Sequence, residues 1–93
     1  MREEAKVVKY AAVIRYGNPE KIQEVRPVHR QYLASLKSSG KLWASGPFTD
    51  DSGALIIYEA DSEEEAWQLI RQDPFYEAGV FQDIQLRPWN QVF

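Results

Sequence analysis

Two segments, VVKYAAVIRY from Val7 to Tyr16 and ALIIYEA from Ala54 to Ala60, are apolar at nearly every position and rich in β-branched and aromatic residues. A strand apolar on both faces must be covered on both, so this pair belongs at the centre of a sheet. FQDIQLRPW, near the end of the chain, contrasts with them. It sets Ile84, Leu86 and Pro88 against Asp83, Gln85 and Arg87, the alternation of an edge strand. LWASGPF, from Leu42 to Phe48, is a short second strand whose Gly46-Pro47 is tolerated only at an edge or a bulge.

Helices fall between these strands. Gly17-Asn18-Pro19 breaks the first strand, Asn18 resembles an N-cap and Pro19 the first helical residue. Ile22, Val25, His29, Tyr32, Leu33 and Leu36 then continue one face at spacings of three and four. Pro27 has no N–H to donate and biases Arg26 away from helical angles, which predicts a short helical piece, a kink and a main helix from about Pro27 to Ser38-Ser39-Gly40. Asp61-Ser62-Glu63-Glu64-Glu65 is a capping box with acids stacked in the first turn, where the helix dipole favours them. Its helix buries Ala66, Leu69 and Ile70, and Asp73 is next on that face, before Pro74 and a short helical turn, PFYEAG.

The order β-α-β-β-α-β is the split βαβ of the ferredoxin-like α+β fold, a four-stranded antiparallel sheet formed by one domain spanning residues 1–93. Both helices then cover one face of the sheet, and the other apolar face of the central strands needs a cover that one copy does not contain. A second copy supplies it. At about 25 cal/mol per Å², an interface half of roughly 800 Å² outweighs leaving that face wet, so the expected assembly is a homodimer with two sheets packed face to face.

Composition excludes several function classes. Lys and Arg number 11 against 14 Asp and Glu, with no basic run, so nucleic acid is not an expected partner. No cysteine is present and only one histidine, which removes thiolate nucleophiles and histidine-rich metal sites; neither a metal nor a cofactor is expected. The start, MREEAKVVKYAAVI, carries acids at once and Lys9 inside its apolar run, so it reads as neither a signal peptide nor a membrane span. A cytoplasmic location follows as the default.

Five short motifs occur in order: R-P-x-H-x-x-Y-L from Arg26, G-K-L-x-x-x-G-P from Gly40, D-S-x-E-E-A from Asp61, D-P-F-x-x-A-G from Asp73 and R-P-W from Arg87. Together they make the chain resemble the YciI-like (YCII-related) family along nearly its whole length. The resemblance implies a dimeric α+β barrel close to muconolactone isomerase-like proteins, and an active site of a histidine and an aspartate. On this sequence those residues are His29 and Asp73. Arg26 and Ser45-Gly46-Pro47 are the accompanying substrate-binding candidates.

The chemistry of such a pair is general acid/base catalysis. An imidazole with a free pKa of about 6.5 takes or gives a proton near neutral pH, and a carboxylate on its other nitrogen fixes the tautomer. The expected activity is a cofactor-free lyase, isomerase or hydrolase reaction on a small, anionic organic molecule. The alternative is a non-catalytic ligand-binding or interaction domain, in which a lone histidine on an apolar face is a hydrogen-bonded core residue. A catalytic pair is expected in a wet cleft, where losing it costs little stability. Asp73 before Pro74 is also an ordinary N-cap, and its two oxygens can serve both the backbone and the imidazole. Asp50 and Asp51 of TDDSG read as turn residues, and Trp43 and Trp89 as core or interface anchors.

Overall fold

The computed structural model describes residues 8–93. Val7 and the acid-rich start of the chain lie outside the described residues. The elements run β1 (Val8–Tyr16), α1 (Pro19–Ser38), β2 (Leu42–Pro47), β3 (Gly53–Ala60), α2 (Glu63–Arg71), α3 (Pro74–Glu77) and β4 (Phe81–Trp89). One antiparallel sheet has the order β2-β3-β1-β4, so the two strands apolar at nearly every position are central, and the alternating β4 and the Gly-Pro-bearing β2 are the edges. This is the ferredoxin-like α+β arrangement.

Pleating divides β1 and β3 between two environments. Ala12, Ile14, Ala54, Ile56 and Tyr58 point into the core beneath the helices, where Leu33, Leu36, Leu69, Ile70, Phe75 and Val80 meet them. Their neighbours Val13 and Leu55 lie on the opposite face and are 47% and 38% exposed. Trp43 and Trp89 share that face's far end with ring centroids 6.1 Å apart, so neither is a core anchor. Gly53 permits close strand contact: a Cβ there would stand 1.9 Å from the Ile14 carbonyl oxygen.

Helix α1 departs from expectation, running unbroken through Pro27. The carbonyl that Pro27 leaves without an N–H donor is that of Gln23, and both residues are exposed, so water can satisfy it. Asn18 stands at the cap position, but in a left-handed conformation with no capping side-chain bond. Its amide Nδ2 instead donates to the Ala78 carbonyl at 2.9 Å, tying the start of α1 to the end of α3. At α2 the predicted cap holds: Ser62 Oγ accepts from the Glu65 N–H, while Glu65 Oε1 accepts from Asp61 N–H.

Candidate active site

His29 sits mid-way along α1 on its sheet-facing stripe and is 5% exposed. Asp73 is not part of α2, which ends at Arg71; it lies in the turn beyond and caps α3. The tie between Asn18 and Ala78 and the packing of α1 on α3 bring the two together across 44 residues of sequence. His29 Nδ1 stands 2.7 Å from Asp73 Oδ1, and the same oxygen accepts the Phe75 N–H at 2.8 Å. A carboxylate oxygen only accepts, so Nδ1 carries the proton in this pair. The cap and the histidine contact therefore coexist on one oxygen.

Phe75 follows directly from this cap. Pro74 starts the short helix and Phe75, fully buried, slides under the imidazole: the rings stack at 4.0 Å and 9°. Phe81 closes the edge at 6.0 Å and 88°. Fixed on one nitrogen and on one face, the ring has a single orientation. The pair is more enclosed than the wet cleft expected from sequence, because Phe75 and Phe81 take the place of solvent on two sides.

A cavity of about 580 Å³ opens beside it, between α1 and the β2–β3 edge of the sheet. His29, Arg26, Ser45, Gly46 and Pro47 all line it, so the histidine and the expected binding residues share one site. Asp73 does not line it; the aspartate is fully buried behind the imidazole. Arg26 is already engaged, with Nη2 donating to Asp51 Oδ1 at 2.8 Å. Asp51, read from sequence as a turn residue, does occupy a turn at a left-handed φ of 59°, and it is also Arg26's partner. Nothing local in TDDSG signals that pairing, since it spans 25 residues. Asp50 is a turn residue alone, accepting from the Ser52 N–H and hydroxyl.

Sequence reasoning passed over Tyr16, Arg30 and Lys37, which also line the cavity. Arg30 follows His29 directly, and Lys37 lies two helical turns beyond it; their spacing on α1 is the signal that could have found them. Burial pushes the Tyr16 phenol up, and the guanidinium of Arg26 beside it draws it back. Behind the imidazole, Tyr32 donates to the Leu69 carbonyl at 2.6 Å, and burial with the Asp73 charge pushes its phenol up to about 12. Tyr58 is fully buried and its phenol is pushed up by the same causes, and its hydroxyl and Asp73 Oδ2 have no partner among the described residues. Among those residues no group of three or more metal-ligating side chains stands together, and no helix is long and apolar enough to cross a membrane.

Protein YciI of Escherichia coli O6:H1 is 33% identical over 84 residues, covering 80% of this chain and 86% of that protein. Uncharacterized protein YjpA of Bacillus subtilis is 33% identical over 62 residues, covering 67% and 72%. Among solved structures, 5-chloro-2-hydroxyhydroquinone dehydrochlorinase (TftG) from Burkholderia phenoliruptrix AC1100, in complex with 2,5-dihydroxybenzoquinone, superposes with a TM-score of 0.79 at 25% identity, covering 90% of this chain and 95% of that one. An antibiotic biosynthesis monooxygenase shares the fold at a TM-score of 0.58 and 19% identity, covering 91% and 98%. The fold is thus one that carries enzymes, including a lyase. The model of the YCII-related domain matches residues 8–90, and the chain belongs to that family.

Proposed function

We propose that the protein is a cofactor-free acid/base enzyme in which His29 Nε2 moves a proton on a small organic substrate and Asp73 orients the ring. One observation carries this reading: Nδ1 is held at 2.7 Å by a fully buried carboxylate, while the same histidine lines a cavity of about 580 Å³. With Nδ1 occupied, Nε2 is the nitrogen left to face the cavity, and its lone pair is the base. Nε2 takes a proton from the substrate; the freed electron pair either expels a leaving group, as in a lyase, or shifts along the molecule, which takes the proton back at another atom, as in an isomerase. The likeness to TftG supports the first outcome.

The active form is a homodimer, its sheets packed through the face that carries Val13, Leu55, Trp43 and Trp89. Support comes from the exposure of these four large apolar side chains on one face. The paired tryptophans suit an interface.

The test is turnover on hydroxylated and chlorinated ring compounds, beginning with 5-chloro-2-hydroxyhydroquinone and reading chloride release. His29→Gln, folded by circular dichroism, is expected to lower kcat by about 10²–10⁴-fold, the usual contribution of a positioned base. A compound turned over equally well by the variant removes the proposal. The alternative, a ligand-binding domain without catalysis, corresponds to binding in this cavity with no turnover by either protein.

A further inference from the structure

The wall of the cavity is basic in a chain whose formal net charge is −3. Arg26, Arg30 and Lys37 line it from α1, and no Asp or Glu does. Arg26 is neutralised by Asp51 at 2.8 Å. The other two are differently placed. Arg30 has no ion-pair or hydrogen-bond partner among the described residues. Lys37 Nζ reaches across the end of the cavity and donates at 2.7 Å to the carbonyl of Trp43, a residue that the register shift in β2 leaves without a partner in the β2–β3 ladder. An ammonium has three donors, so two remain for a ligand. Between them lies Ala34, four residues after Arg30 and three before Lys37, whose small side chain leaves space on the same helical stripe.

We propose that Arg30 and Lys37, spaced about Ala34, form a carboxylate subsite that anchors the non-reacting end of a ring-bearing acid, leaving its other end at His29. The floor of the cavity between these points is apolar, made by Leu33, Leu42 and Ile56. Five residues of helix separate His29 from Ala34, about 7.5 Å of axial rise, a span filled by one substituted ring. Two cations lining one side of the same cavity, with no Asp or Glu among its lining residues, favour an anion, and the planar fork of Arg30 suits a carboxylate. Binding energy from this remote anchor positions the reacting atom at Nε2. Calling the ligand a substrate rests on the proposed function; the anion subsite itself does not.

Benzoate and its uncharged analogue benzamide are the probes, titrated into the ¹⁵N-labelled full chain and followed by amide chemical shifts. Benzoate is expected to bind at least 10-fold more tightly than benzamide, to perturb the amides around Arg30, Ala34 and Lys37, and to weaken as salt rises. The double variant Arg30→Gln/Lys37→Gln, both exposed positions, is expected to lose at least 10-fold in benzoate affinity with benzamide unchanged. Ala34→Leu, which fills the space, is expected to weaken both probes. Equal affinity for the two probes, benzoate binding unchanged in the double variant, or shifts confined to Arg26 and Asp51 would each overturn the proposal. His29→Gln separates the two ideas. Retained benzoate binding with lost turnover supports both; retained turnover with an intact Arg30/Lys37 effect removes the histidine mechanism and leaves the subsite standing.

Discussion

Replacing Asp73 by alanine and by asparagine separates its two duties. The carboxylate is fully buried, and Oδ1 serves both His29 Nδ1 at 2.7 Å and the Phe75 N–H at 2.8 Å. Alanine removes an N-cap, about 1 kcal/mol, and a hydrogen bond to a charged group, about 1.5–3 kcal/mol. Oδ2 has no partner among the described residues, so its loss returns part of that cost. The net expectation is about 2–4 kcal/mol of destabilisation for Asp73→Ala. Asparagine is as good an N-cap and keeps a neutral acceptor for Nδ1, so Asp73→Asn should lose only about 0.5–1.5 kcal/mol. Urea unfolding at constant protein concentration reads both values, with an unchanged slope m certifying that stability rather than compactness has moved. The reasoning is refuted if Asp73→Ala lies within 0.5 kcal/mol (roughly the scatter of surface substitutions) of the parent, or if asparagine costs as much as alanine.

The pH dependence of stability follows from the tyrosine behind the site. Tyr32's phenol is held neutral by burial and by the Asp73 charge, up to about 12, whereas in the unfolded chain it titrates near 10. The folded state thus binds this proton more tightly, and the contribution is complete below pH 10 and lost between pH 10 and about 12. Tyr32→Phe should flatten the fall in urea stability over that window, and an unchanged slope would contradict it. For the dimer, Leu55→Glu places a charge in the middle of the apolar sheet face and is expected to weaken self-association by at least about 100-fold, since an unpaired buried charge costs several kcal/mol. Sedimentation equilibrium decides, and a monomeric parent protein would refute the proposed seam.

The strand order was legible because burial leaves a direct mark on side-chain chemistry. Val8–Tyr16 and Gly53–Ala60 are apolar on both faces and central, and Ile84 and Leu86 alternate with polar neighbours on an edge. Ser62 and Glu65 were legible for a similar local reason, since a capping box is written within four residues. Pro27 misled because its effect depends on where Gln23's carbonyl points, and solvent exposure is a tertiary property. Asn18 occupies the right place with a different bond, because Ala78, sixty residues away, offers a better partner for its amide.

The site followed the same division. His29 and Asp73 could be paired through the family motif, although Asp73 lies beyond the end of α2 rather than on its face, and the fold brings them together. Their enclosure by Phe75 and Phe81 could not be anticipated, because stacking at 4.0 Å depends on how α3 is tied to α1. A buried pair destabilises the chain when broken whether or not it is catalytic, so loss of stability in a His29 variant does not separate an enzyme from a binding domain. Proton chemistry at the ring does.

The most direct measurement of that chemistry is the protonation of the two ring nitrogens of His29, the only histidine in the sequence and so free of overlap in a ¹⁵N-labelled sample. A long-range ¹H–¹⁵N correlation spectrum followed across a pH titration reports each nitrogen separately. Nδ1 is predicted to carry the proton of the neutral ring, donated to Asp73 Oδ1, and Nε2 to be the bare nitrogen. Loss of the proton from Nδ1 with Nε2 remaining protonated would leave no base facing the cavity and would contradict the account.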